Sequence, residues 1–125
     1  MKKVISTKKA PGAIGPYSQA IEANGMVFIS GQLAIDPSTG NLVEGGVIEQ
    51  TEQVMKNLEA ILNEAGCTFD NVVKSTCLLA DMSYFADMNA VYGKRFPANA
   101  PARAAFAVKT LPKNALVEIE MIAAK

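Results

Sequence analysis

Between Val47 and Ala65, small or apolar side chains return at Val47, Thr51, Val54, Met55, Leu58, Ile61, Leu62 and Ala65. That spacing lines them along one face of a helix, while Glu49, Glu52, Lys56, Glu59 and Glu64 fill the other. Gly66 follows at the position where a left-handed C-cap favours glycine. A helix with one apolar stripe gains most of its stability from whatever covers that stripe. The flanking segments read as strands, so the expected cover is a sheet.

The clearest strand signal lies upstream. Ala20–Ala23 and Met26–Gln32 flank Asn24-Gly25, the strongest short hairpin signal. Alternation puts Val27, Ile29 and Gly31 on one face and Phe28 and Ser30 on the other. Gly31 at the strand end predicts a bulge or a close backbone approach. Lys3–Ser6 suits a short first strand. Ala10–Gln19 carries Pro11, Gly12, Gly15 and Pro16 and reads as a loop.

Downstream, Val72–Leu79 is rich in β-branched residues and reads as a strand. Asp81 or Ser83 can cap a second helix over Ser83–Phe96, with Phe85, Met88, Tyr92 and Phe96 as its core stripe. Asn89 sits beside that stripe, where partial burial would require hydrogen-bond partners. Two strand-like runs close the chain, Ala102–Val108 and Leu116–Ile122, parted by Leu111-Pro112-Lys113-Asn114. The order β-β-β-α-β-α-β-β predicts one α+β domain over residues 1–125, a mixed β-sheet with two helices packed on one face. Its other face needs a cover. Ala102–Val108 is small and apolar apart from Arg103, so a second copy of the chain is the expected cover.

Composition prunes the chemistry. Half of the 125 residues are hydrophobic and 19% are charged, enough for a real core. The net charge is zero, which argues against a surface built for nucleic acid. No apolar run approaches the ~20 residues that span a bilayer, and the lysine-rich start lacks the apolar segment of a signal peptide. A cytosolic location is the expectation. With no histidine in the chain, Ser-His-Asp and Cys-His nucleophile systems and histidine-bearing zinc sites are excluded. Cys67 and Cys77 read as free thiols, at least one of them buried.

The last two runs are expected to pair antiparallel across their turn, with Ala105 opposite Glu118. Arg103 would then lie one diagonal step from Glu118, roughly 7–8 Å away. That would place a cation and a carboxylate on one strand face, with alanines leaving room for a small ligand. Glu120 shares the parity of Glu118 and reads as structural or solvent-facing.

Five segments in this order resemble a known family: Ile14-Gly15-Pro16-Tyr17-Ser18-Gln19-Ala20, Phe28-Ile29-Ser30-Gly31-Gln32, Asn89-Ala90-Val91-Tyr92, Pro101-Ala102-Arg103 and Val117-Glu118-Ile119-Glu120. Together they look like the RidA proteins of the YjgF family, over essentially the whole chain. The resemblance implies a chorismate-mutase-like α+β fold assembled as a homotrimer with ligand clefts between subunits. It implies hydrolysis of 2-imino acids, or their enamine tautomers, to 2-oxo acids and ammonia, with no cofactor. These imines arise when pyridoxal-phosphate dehydratases act on threonine or serine. By motif match, Arg103 would hold the substrate carboxylate and Glu118 would position or activate water. Tyr17 would help close the cleft, and Ser30, Gly31 and Asn89 would line or support it. Ala105 occupies a substrate-lining position where many bacterial members carry cysteine, so no thiol acts at that point here.

The residues suit that chemistry independently. Arginine grips a carboxylate through two parallel hydrogen bonds, fixing orientation as well as charge. Free imines already hydrolyse in water, so a site needs positioning and modest proton transfer more than a strong nucleophile. Two other classes remain open at this point: an endoribonuclease, and a non-catalytic regulatory protein that binds small acids.

Overall fold

The computed structural model describes residues 1–125. Six strands form one sheet: β1 (Lys3–Ile5), β2 (Ala20–Ala23), β3 (Met26–Gln32), β4 (Val72–Leu79), β5 (Ala102–Ala107) and β6 (Val117–Ala124). Their spatial order is β1-β2-β3-β6-β4-β5. Helix α1 (Val47–Glu64) joins β3 to β4, and α2 (Phe85–Gly93) joins β4 to β5.

The β2–β3 hairpin forms at Asn24-Gly25 as expected. Both residues take positive φ, 51° and 73°, which the short asparagine side chain and glycine tolerate. Helix α1 also runs close to its expected length, and Gly66 caps it at φ +79°. The second helix is shorter than expected. Asp81 accepts the Ser83 N–H at 2.8 Å, a 3-10 turn follows over Met82–Tyr84, and α2 ends at Gly93.

The end of the chain departs from expectation. β5 and β6 do not pair with each other. β5 runs parallel to β4 at the sheet edge, with Ala105 beside Cys77 rather than Glu118. β6 lies between β3 and β4, antiparallel to both. The connection over 108–116 is too long for a tight hairpin and holds its own 3-10 turn at Pro112–Asn114. The α2 crossover returns β5 alongside β4, because parallel neighbours need such a connection.

One sheet face carries both helices. Val27, Ile29, Val117, Ile119 and Met121 meet Val54, Leu58 and Ile61 of α1 in one core cluster. The helices also fix the loops. Asn57, buried in α1, donates to the carbonyls of Leu33 and Ile35 at 3.0 and 2.9 Å. Gln50 accepts the Leu116 N–H at 2.9 Å. Every buried side-chain polar atom finds a partner.

The opposite face is bare. Its residues include Phe28, Leu78, Phe106 and Ile122, set by the register of β3, β4, β5 and β6. Phe28 and Phe106 are exposed. No helix is long and apolar enough to cross a membrane.

Candidate functional site

The residues singled out in the sequence fall into two groups on different sides of the sheet. The first group gathers where the Ala10–Gln19 loop meets β3 and β6. Between Ile29 and Gln32 the register of β3 against β6 slips by one residue. This is the bulge expected at Gly31, and it changes which way Gly31 faces. Gly31 does not share the Val27 and Ile29 face. It lies against Glu118, whose carboxylate occupies the space a Cβ would need. Glycine is therefore the residue that lets Glu118 lie flat on the strand.

The loop above is tied down by side chains. Gln19 accepts the Thr7 N–H at 2.7 Å and donates to the carbonyls of Thr7 and Pro11 at 3.0 and 2.8 Å. Ser30 donates its hydroxyl to the Ser18 carbonyl at 2.6 Å, and its N–H to the Gln19 carbonyl at 2.9 Å. Ser30 thus holds the segment that carries Tyr17. Tyr17, Ser30, Gly31, Glu118 and Glu120 line one hollow of ≈ 730 Å³, with apolar wall from Ile14 and Leu33. Burial pushes the Glu118 carboxyl above its ordinary value, and the neighbouring Glu120 charge pushes it further the same way.

The second group gathers around Arg103. Register places Arg103 beside Ser75, on the helix-bearing face. Its guanidinium lies 4.9 Å from the ring centroid of Tyr92 and 5.4 Å from that of Phe85. Its Nη1 donates to Oδ1 of Asn89 at 2.7 Å. Asn89 is exposed rather than partly buried, and its partner is the arginine. A second hollow of ≈ 420 Å³ opens here, lined by Asn89, Tyr92, Phe96, Pro101 and Arg103.

Arg103 and Glu118 therefore do not share a strand face or a hollow within the chain. Glu118 lies beside Leu78 on the bare face, three rows from Ser75 and two strands over from β5. Rows and strand spacing put the two Cα atoms roughly 14 Å apart, with side chains on opposite sides. The expected juxtaposition fails because it rested on a β5–β6 pairing that does not form.

Ala105 belongs to the Arg103 side, two residues along the same face and next to Cys77. Both cysteines are free and buried. Burial raises the Cys77 thiol to about 11, which keeps it protonated and inert. No cluster of three or more Cys, Asp or Glu side chains is arranged to hold a metal ion.

In the sequence, Phe85 and Tyr92 are legible only as core stripe. Their contact with Arg103 has one readable signal: positions 85, 89 and 92 share a helical face. Gln19 gives none, because its role depends on the fold of the loop it clamps.

Arg103 is also one of only two arginines. Arg95 pairs with Glu52 at 3.3 Å, and the other ion pairs are Lys94–Glu52 and Lys125–Glu22. Arg103 has no carboxylate partner. It is a cation held in place and left open to an anion.

A family model, endoribonuclease L-PSP, matches residues 7–125. The chain belongs to this family, that of the YjgF/RidA proteins. Among RidA-family relatives, the mouse 2-iminobutanoate/2-iminopropanoate deaminase is 55% identical over 98% of this chain and 91% of its own length. RidA from the Antarctic bacterium Psychrobacter sp. superposes with a TM-score of 0.94 at 46% identity, covering 98% of this chain and 99% of its own. The E. coli TdcF structure with bound serine superposes at 0.92 and 38% identity, covering 98% of each chain. The two-helix α+β fold with a mixed sheet is the fold of the RidA family.

Proposed function

We propose that this protein is a 2-iminobutanoate/2-iminopropanoate deaminase, hydrolysing 2-imino acids to 2-oxo acids and ammonia. What carries the reading is an Arg103 guanidinium with no carboxylate partner, in a chain 55% identical to a mouse deaminase of that name. A planar carboxylate is the natural ligand for a guanidinium whose remaining N–H groups are free. The serine bound in TdcF carries a carboxylate of the same kind.

The two half-sites on opposite faces define how such a site would be completed. A small 2-imino acid cannot bridge Arg103 and Glu118 of one chain. We assign the working cleft to the boundary between copies, with Arg103 and Asn89 from one and Tyr17, Ser30, Gly31 and Glu118 from its neighbour. The bare apolar face is the surface the copies would bury, in a chorismate-mutase-like homotrimer. A cytoplasmic location suits an enzyme that scavenges intermediates released by dehydratases.

In that cleft Arg103 holds the substrate carboxylate and so fixes C2 beside it. Glu118 takes a proton from water as the water oxygen bonds to C2. The C=N π-electrons move to nitrogen, which takes that proton from Glu118 and regenerates the carboxylate. The tetrahedral intermediate then collapses to the ketone: its hydroxyl gives its proton to the Glu118 carboxylate, Glu118 passes a proton to nitrogen, the C–N bond breaks and ammonia leaves. Tyr17 closes the cleft from its clamped loop. Glu118's raised pKa suits the transfer, because it makes the carboxylate a stronger base toward the water proton.

The experiment generates the imine with a threonine dehydratase and traps it with semicarbazide. Wild type is expected to suppress semicarbazone formation. Arg103→Ala should lose about 100-fold or more, the loss of a bidentate charge-assisted grip. Equal suppression by both proteins would overturn the role of Arg103. Site-dependent cleavage of single-stranded RNA with no effect on the imine would favour the endoribonuclease reading.

A further inference from the structure

The contacts behind Arg103 form a closed circuit. Arg103 pairs with Ser75 across β5 and β4. Ser75 Oγ and the Tyr92 hydroxyl share a buried 2.6 Å hydrogen bond. The Tyr92 ring then lies 4.9 Å under the guanidinium of the same Arg103. The ring is thus fixed by the strand neighbour of the residue it supports. Phe85 adds a second ring at 5.4 Å, and Asn89 takes Nη1 at 2.7 Å. All three supports come from one face of α2, at helical spacings of four and three.

We propose that Phe85, Asn89 and Tyr92 are positioning residues that hold the Arg103 guanidinium pre-oriented while leaving its charge unneutralised. This rests on the reading of Arg103 as the carboxylate grip and adds how that grip is built. Arginine is a long side chain with many rotamers, and an unsupported one would lose that freedom on binding ligand. Two aromatic faces and one acceptor remove most of that loss beforehand.

The identity of the acceptor matters most. An aspartate at position 89 could take the same hydrogen bond, and would bring a negative charge. The guanidinium would then be an ion pair, as Arg95 is with Glu52. A substrate carboxylate would have to compete with it. Asparagine orients without competing. Asn89 is exposed, so a charge at this position has little bearing on folding.

The test compares wild type, Asn89→Asp, Tyr92→Leu and Arg103→Ala by calorimetric titration with 2-oxobutanoate, alongside melting temperature. Asn89→Asp is expected to melt at or above the wild-type temperature and to bind 2-oxobutanoate about tenfold more weakly or worse. A merely structural asparagine would not separate the two readouts in that direction. Tyr92→Leu is expected to weaken binding by about three- to tenfold, through loss of a cation–π support. If Arg103→Ala loses binding while Asn89→Asp stays within twofold of wild type, the positioning proposal is overturned and the grip stands. If Arg103→Ala itself binds as wild type, the grip fails and the proposal with it.

Discussion

On the helix-bearing side of the sheet, Val27, Ile29, Val117, Ile119 and Met121 are at most 4% exposed; on the other side Phe28 and Phe106 keep 46% and 48%. Both sides are drawn from the same alternating strands. One is closed by the chain's own helices, and the other has no cover from within the chain. Exposed aromatic side chains on a continuous sheet face mark an interaction surface. The same division separates the chemistry. Arg103 stands on the covered side with α2 behind it, and Glu118 lies on the bare side against Gly31. Within one chain, Arg103 and Glu118 therefore stand on opposite sides of the sheet.

The sharpest way to break this comparison is to charge the bare face. Phe106→Asp should leave the chain folded, because Phe106 is half-exposed, and should abolish assembly and imine hydrolysis together. Light scattering and circular dichroism separate the two effects. A Phe106→Asp variant that assembled and turned over as wild type would mean that the bare face is not the interface. The matched change on the covered side is Leu58→Ala. It should cost about 2–5 kcal/mol in denaturant unfolding, the cost of a cavity in a packed core, while the assembled state keeps its stoichiometry.

A smaller effect sharpens the Glu118 half. The proposed water activation uses the ionised Glu118 carboxylate, so activity should fall as pH drops through its raised pKa. The neighbouring Glu120 charge is the second cause of that rise, after burial. Glu120→Gln removes the repulsion, lowers the Glu118 pKa and should move the acid limb of the pH–rate profile to lower pH. The shift should be under about one pH unit, since burial remains. A limb that moved to higher pH would contradict the assigned cause.

Much of this fold is legible in the sequence where the signal is local. Asn24-Gly25 dictates its hairpin through backbone conformations that few residue pairs accept. The stripe from Val47 to Ala65 dictates α1 through period alone. The partner of β5 is not local. It depends on where α2 returns the chain, and the turn residues Leu111–Asn114 suggest a hairpin that the tertiary arrangement does not use. The site inherits that error. Arg103, Glu118, Tyr17, Gly31 and Asn89 can be singled out by motif and chemistry, but not sorted between faces without the strand register. Gly31 shows the same limit on a smaller scale. Its bulge is readable, whereas the face it ends on is not, since one extra residue inverts parity.

The central claim is that one functional cleft takes Arg103 and Glu118 from different copies. Mixing denatured Arg103→Ala and Glu118→Ala chains one to one, refolding them together and assaying imine hydrolysis tests it directly. Random reassembly should restore about a quarter of wild-type activity, the chance that one copy brings its arginine and the adjoining copy its glutamate in a closed ring. Each variant refolded alone should stay near background. A mixture no more active than the separate variants would mean that the two side chains never meet across that boundary.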